Sequence, residues 1–234
     1  MHTIRLDGPA KNALGTQMMQ WIRNELVSAD GRPVLITGTG DAFSAGLNLK
    51  ELLTLDADGM CAFLMELDAL VEALFRYPGP TAAAVNGHAI AGGCIVAMCC
   101  DIRVMTTNPR ARIGLNEVAL GLQFPPRTLE TVRYLLPNHT AEEVILGAGL
   151  HGPGAALSLG LVHETAEDPQ AVATERLAAR AKLPPVAYAA TKATMRDGVG
   201  LADPKNQAAF LEEVLPVWTS PQLKETILAV LGKK

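Results

Sequence analysis

Between Gly92 and Cys100 the chain reads G-G-C-I-V-A-M-C-C, without one charged or strongly polar side chain. This stretch reads as a helix with no polar face, and such a helix must be buried on every side. It therefore requires layers around it, and its neighbours supply them. Thr81–Val85 (T-A-A-A-V) reads as a buried strand, Asn86-Gly87 as a turn, and Ile102–Thr106 and Ala111–Gly114 as further strands. The whole apolar run, Ala89 to Cys100, is far below the roughly 18 residues that span a bilayer.

Strand and helix signals alternate through the first half. His2–Leu6 and Pro33–Gly38 read as strands, Gly15–Ala29 and Ala57–Arg76 as helices, and Gly38–Asn48 as a glycine-rich loop. The helical period is carried by Met18, Met19, Ile22, Leu26 and Val27 in the first helix, and by Phe63, Leu64, Leu67, Leu70, Val71 and Leu74 in the second. Tyr77-Pro-Gly-Pro stops the second. From Pro125 onward the reading is helical, apart from a short strand at L-V-H-E-T from Leu161. The last helix starts with Ser220 as N-cap and Pro221 in its first turn, and it ends in lysines. This order predicts an α/β domain with a helical extension. Apolar residues make up 49% and charged residues 19% of 234, enough for a sizeable core and against disorder.

The net charge of −4, with no Lys/Arg run, argues against nucleic acid and anionic membrane as partners. Cys61, Cys94, Cys99 and Cys100 have no metal-ligand spacing, and three of them fall in the apolar helix, so buried thiols and no metal are expected. The N-terminal M-H-T-I-R-L-D-G-P has no basic-then-apolar leader. A reduced, cytoplasmic location is the expectation.

Two glycine elements and one acid bear on chemistry. In the loop Asp41–Lys50, Gly46 permits a backbone angle that aims the N–H of Leu47 inward. Ala91-Gly92-Gly93 opens a helix whose first N–H groups have no partner within it. One N–H from each could converge on a carbonyl oxygen, although glycine turns at strand ends are also ordinary punctuation. Glu117 closes the uncharged run I-G-L-N-E among Ile113, Leu115, Val118, Ala119 and Leu120. Partial burial there would raise its pKa and make it a usable base.

The motifs F-S-A-G-L-N-L-K-E-L, V-N-G-H-A-I-A-G-G-C, C-D-I-R-V and I-G-L-N-E-V-A-L-G-L resemble the crotonase superfamily (enoyl-CoA hydratase/isomerase). P-A-K-N-A-L near the N-terminus and G-L-V at Gly160–Val162 fit as well. The resemblance runs over nearly the whole chain and is most specific in residues 43–121. The first strand is short, so an initial hairpin strand of the family is expected to be missing.

The resemblance implies a crotonase-like ββα superhelix of the ClpP/crotonase type with a helical C-terminal region. Residues 1–165 would form the spiral core with the CoA and oxyanion-hole site, and 166–234 a helical trimerisation or lid region of the same domain. It implies an acyl-CoA thioester substrate, a homotrimer or hexamer, and no cofactor beyond the coenzyme A of the substrate. By position, Leu47 and Gly92 would supply the oxyanion N–H groups. Ala45, Gly46 and Leu49 would border the CoA moiety, and Lys50 would reach a phosphate, although it also reads as a plain exposed lysine. Asn116 and Phe124 would line the acyl site. Asn116 could equally bond its own turn, and Pro125-Pro126 could simply start a helix. His88 reads as a core or turn histidine.

Hydratases of this family carry two glutamates, one directly after G-G-C and one at the position of Glu117. Here the first is Ile95. Syn-hydration needs a carboxylate pair, and losing one general acid/base typically costs ~10²–10⁴-fold. A single carboxylate suffices for a 1,3-proton shift. The I-G-L-N-E wording, the following L-G and the apolar residue after G-G-C are similar to mitochondrial-type Δ3,Δ2-enoyl-CoA isomerases, which implies an isomerase with Glu117 moving the proton. Other acyl-CoA enzymes of the superfamily (hydrolases, decarboxylases, C–C lyases) and a non-catalytic acyl-CoA binder stay open. Asp41 and Glu51 read as solvated acids. Either, pointing inward, would be a second acid and reopen hydratase or hydrolase chemistry.

Overall fold

Residues with β-branched or small apolar side chains form strands where the two-residue period sends alternate side chains to two different apolar layers. The computed structural model describes residues 1–200 and 203–232. Its strands are β1 (His2–Leu6), β2 (Val34–Gly38), β3 (Ala42–Ser44), β4 (Thr81–Val85), β5 (His88–Ile90), β6 (Ile102–Thr106), β7 (Ile113–Gly114) and β8 (Glu164–Ala166). The longer helices are α1 (Thr16–Ala29), α2 (Ala57–Phe75), α3 (Gly92–Cys99), α4 (Pro126–Leu135), α5 (Pro169–Arg180), α6 (Pro185–Met195) and α7 (Pro221–Gly232).

Two parallel sheets result. One has the order β1-β2-β4-β6-β8 and the other β3-β5-β7. Along the chain, β2 and β3, β4 and β5, and β6 and β7 each place one strand in either sheet, and α2 and α3 link the pairs. This repeated strand–strand–helix turn is the ββα superhelix of the crotonase fold. In the larger sheet Leu35, Ala82, Ala84, Ile102 and Val104 face one way, under Ala173 and Leu177 of α5. Val34, Ile36, Ala83, Val85 and Met105 face the other way, into the main core. The alanines of β4 suit a strand covered closely on both sides.

All residues of α3 are buried, as its lack of a polar face requires. The thiols of Cys94, Cys99 and Cys100 lie in that core, and Cys61 is partly buried. Three boundaries differ from the sequence reading. The glycine-rich loop contains β3, a strand too short to show a period. The strand expected from Leu161 begins at Glu164, which pairs with Val104, and it runs to Ala166 opposite the end of β6 at Thr106. Only Ile113–Gly114 of the expected Ala111–Gly114 strand is paired. At the C-terminal end the hydroxyl of Ser220 accepts the N–H of Leu223 at 3.2 Å, capping α7. The terminal lysines, Lys233 and Lys234, lie outside the described residues. Among the described residues no helix is long and apolar enough to cross a membrane.

Candidate active site

Parallel strands bring their C-terminal ends to one edge of a sheet. The small sheet has the order β3-β5-β7, so the segments after these strands share one edge, about 4.8 Å apart per strand. Leu47 follows β3, Gly92 follows β5 and Glu117 follows β7. Topology thus places Gly92 centrally, with Leu47 on one side and Glu117 on the other.

Contacts between the first two segments are close enough to demand glycine. A Cβ on Gly46 would stand 2.7 Å from the carbonyl oxygen of Ile90, one on Gly93 2.5 Å from that of Ser44, and one on Gly92 3.0 Å from Cδ2 of Leu47. Gly46 also has φ +90°, a backbone that L side chains rarely adopt.

Peptide geometry then directs the two N–H groups. The carbonyl of Gly46 accepts the N–H of Leu14 at 2.7 Å. In a trans peptide the N–H points opposite to the carbonyl, so the N–H of Leu47 faces away from Leu14. The carbonyl of Ala91 accepts the N–H of Ile95 at 3.0 Å as α3 begins, which turns the N–H of Gly92 out of the helix. Ala91 adopts φ 50° and ψ −119° to make that entry. Such a conformation in a non-glycine residue costs of order 1–3 kcal/mol. Among the described residues, the N–H groups of Leu47 and Gly92 have no acceptor.

Glu117 is only 6% exposed, and its Oε2 has no hydrogen-bond partner. Burial pushes its carboxyl up to about 7, against a weaker opposing bond from its own backbone N–H. Its main chain is fixed because its carbonyl accepts the N–H groups of Leu120 and Leu122 at 3.0 and 2.9 Å. Burial, and next the charge of Glu117, push up the thiol of Cys94 in the first turn of α3. Asn116 is half-buried and its Oδ1 also lacks a partner. Ile95 is buried, as are Leu115, Leu122 and Phe124.

The remaining predicted residues are distributed as follows. Ala45 and Leu49 are partly buried on the segment after β3, and Lys50 is exposed on the short helix Leu49–Leu52. Phe124 is buried beside Leu122. The indole N–H of Trp218 donates to the carbonyl of Gln123 at 2.9 Å, so the C-terminal region holds this end of the cluster. Pro125 and Pro126 do start a helix, α4. His88 lies in β5; burial and the nearby Lys11 lower its pKa, and its Nδ1 has no partner.

Neither candidate second acid supplies one. Glu51 accepts the N–H of Thr16 at 3.2 Å and its hydroxyl at 2.6 Å, capping α1. Asp41 is exposed and paired with Lys11 at 2.8 Å. Two further residues, Asn12 and Ser44, are buried, and the Ser44 hydroxyl accepts the N–H of Gly46 at 3.3 Å. Their only signal was the P-A-K-N-A-L and F-S-A-G wording.

A family model described as enoyl-CoA hydratase/isomerase matches residues 1–227. The chain is 30% identical to human mitochondrial enoyl-CoA delta isomerase 1 over 189 residues, covering 77% of this chain and 63% of that protein's length. It is 31% identical to a putative enoyl-CoA hydratase of Thermus thermophilus over 241 residues, covering 97% and 92%. The crystal structure of human mitochondrial delta3-delta2-enoyl-CoA isomerase matches with a TM-score of 0.91 at 26% identity, covering 99% of this chain and 92% of that one.

Proposed function

Since the chain belongs to the enoyl-CoA hydratase/isomerase family, we propose that it is an enoyl-CoA isomerase moving the double bond of a 3-enoyl-CoA to the 2-position. The observation that carries this reading is the buried Glu117 carboxyl, its Oε2 without a partner, on the sheet edge that also carries the acceptor-free N–H groups of Leu47 and Gly92. The thioester oxygen sits between the N–H groups of Leu47 and Gly92, which acidifies C2. The Glu117 carboxylate removes a C2 proton, and the electron pair delocalises over the 3,4 double bond into the thioester as a dienolate. The Glu117 carboxyl group returns the proton at C4, and the 2-enoyl thioester forms. Atoms balance without water, and no group beyond the substrate's own coenzyme A enters. A carboxyl with a pKa of about 7 suits both halves of this transfer.

Hydration, named in some relatives, requires a second acid. Ile95 stands at its family position, and Glu51 and Asp41 are engaged elsewhere. For the CoA moiety we assign Ala45, Gly46 and Leu49 as the bordering surface and Lys50 as a phosphate contact, with Asn116 and Phe124 at the acyl end. A homotrimer or hexamer is the assembly proposed for it.

The test is incubation with 3-hexenoyl-CoA in deuterated water, with products followed by mass and ultraviolet absorbance. Conjugated 2-hexenoyl-CoA should accumulate without addition of water, and Glu117→Gln should be slower by ~10²–10⁴-fold. Absence of both the conjugated thioester and deuterium exchange overturns the isomerase reading. A fully active Glu117→Gln variant overturns the assignment of the base.

A further inference from the structure

The segment that braces the Leu47 loop has an unusual shape. Ala10, Lys11 and Asn12 have φ values of 52°, 62° and 59°. Three consecutive residues thus lie in the left-handed region, which side chains other than those of asparagine and aspartate avoid. Asn12 holds this turn together. It is 2% exposed, and its amide nitrogen donates to the carbonyls of Thr39 and Ala42 at 3.0 and 2.9 Å. Its Oδ1 accepts the N–H of Gly8 at 3.1 Å and the hydroxyl of Thr39 at 3.2 Å.

The Ser44 hydroxyl bridges the turn and the loop, beside backbone bonds between them. Ser44, fully buried, donates its Oγ–H to the carbonyl of Asn12 at 2.8 Å and accepts the N–H of Gly46 at 3.3 Å. The carbonyl of Lys11 accepts the N–H of Ala45 at 3.0 Å. Gly46 is therefore held at both ends, its N–H by Ser44 and its carbonyl by Leu14. Held at one end only, a glycine at φ +90° would be free to turn, and the N–H of Leu47 would turn with it.

We infer that Asn12 and Ser44 are positioning residues of the oxyanion hole, acting through the Ser44 hydroxyl to fix the direction of the Leu47 N–H. This rests on the oxyanion-hole reading above. Neither side chain touches the reacting atoms. Their effect is on how well a preorganised donor meets developing charge, a fit on which a single donor typically governs ~10²–10³ in rate.

The test compares two probes on wild type and Ser44→Ala. Acetoacetyl-CoA bound as its enolate absorbs in the near ultraviolet and loads the oxyanion hole; free CoA has no thioester carbonyl and does not. Ser44→Ala should bind the enolate roughly tenfold more weakly and lose a similar factor in kcat, with free CoA affinity unchanged. Ser44→Cys, close in size and a weaker hydrogen-bonding group, should fall between the two, and it carries the test if the alanine variant does not fold. Asn12→Gly keeps the left-handed backbone accessible and should act in the same direction. An unchanged enolate band in these variants overturns the positioning role, and so does a parallel loss of free CoA binding, which marks a merely structural role. No enolate band in the wild type overturns the oxyanion-hole reading itself, so the two failures are distinguishable.

Discussion

Glu117 is a carboxyl group kept from water, and its titration has consequences for both activity and stability. Its pKa is about 7 in the folded chain, against 4.5 for an ordinary glutamate. Between these values the folded state holds a proton that the unfolded state has released. Stability therefore falls as pH rises through that window, and the full penalty, roughly 3 kcal/mol by the linkage relation, is present above about pH 7. Glu117→Gln removes it. We expect the variant to be more stable than wild type near pH 8 and equal to it near pH 4, as read from urea midpoints. An equal difference at both pH values would refute a buried, strained carboxyl. The proposed activity should move oppositely: kcat/KM rises as pH rises through about 7, where the base form appears. Glu117 stood out in the chain because one acid closes an uncharged run, and Ile95 because the family resemblance implies an acid at its position. Ser44 and Asn12 did not, because their bonds join residues 32 positions apart.

At the scale of elements, the site is an agreement between two loops and a helix end. Gly93 lies where α3 meets the carbonyl of Ser44, and an added Cβ would stand 2.5 Å from that oxygen. Gly93→Ala should push α3 from the β3 loop, costing roughly 1–3 kcal/mol as overpacking does, and should lower kcat because Gly92 moves with the helix. Gly154→Ala is the matched control. Nothing lies within 4 Å of its added Cβ, and the residue sits in the short helix Pro153–Ser158, so stability should hold or rise slightly. Thermal midpoints and kcat for the pair check both, and equal behaviour of the two variants counts against the close approach. The element α3 was readable from sequence because uniform apolarity over two turns leaves one solution. The strand β3 was not, since three residues carry no period and its pairing partner β5 lies over forty residues on.

The whole molecule is tied together at the opposite end of α3. Asp101 accepts bonds from Lys192 at 2.8 Å, Arg196 at 2.8 Å, Tyr188 at 2.9 Å and the N–H of Thr81 at 2.9 Å. Burial favours its neutral acid, but Lys192 and Arg196 outweigh that and hold its carboxyl below the usual range. Burial likewise lowers the Lys192 pKa, and Asp101 opposes this. With Nζ also donating to the carbonyl of Gly79 at 3.0 Å, we take the pair as charged. A cavity of about 470 Å³ adjoins these residues, lined by Asp101, Arg180 and one face of α6. Asp101→Asn leaves the buried Lys192 and the largely buried Arg196 without their counter-ion and should cost ~3–5 kcal/mol. Urea midpoints at neutral pH measure that loss. The length of α3, about 12 Å, separates Asp101 from Gly92, so kcat of the folded fraction should stay near wild type. A small stability loss, or a lost kcat with normal stability, contradicts this division of labour.

The chain's local pattern determined the buried helix, most strands of the larger sheet, the glycines and the identity of the one acid, because period and residue type act over a few neighbouring positions. Tertiary structure decided the rest. It set three strand ends at one sheet edge, turned the Leu47 N–H away from Leu14, engaged Glu51 with Thr16 and Asp41 with Lys11, and removed Glu117 from water. Each of these depends on which distant segments share a boundary, and direction and desolvation exist only once that boundary is closed.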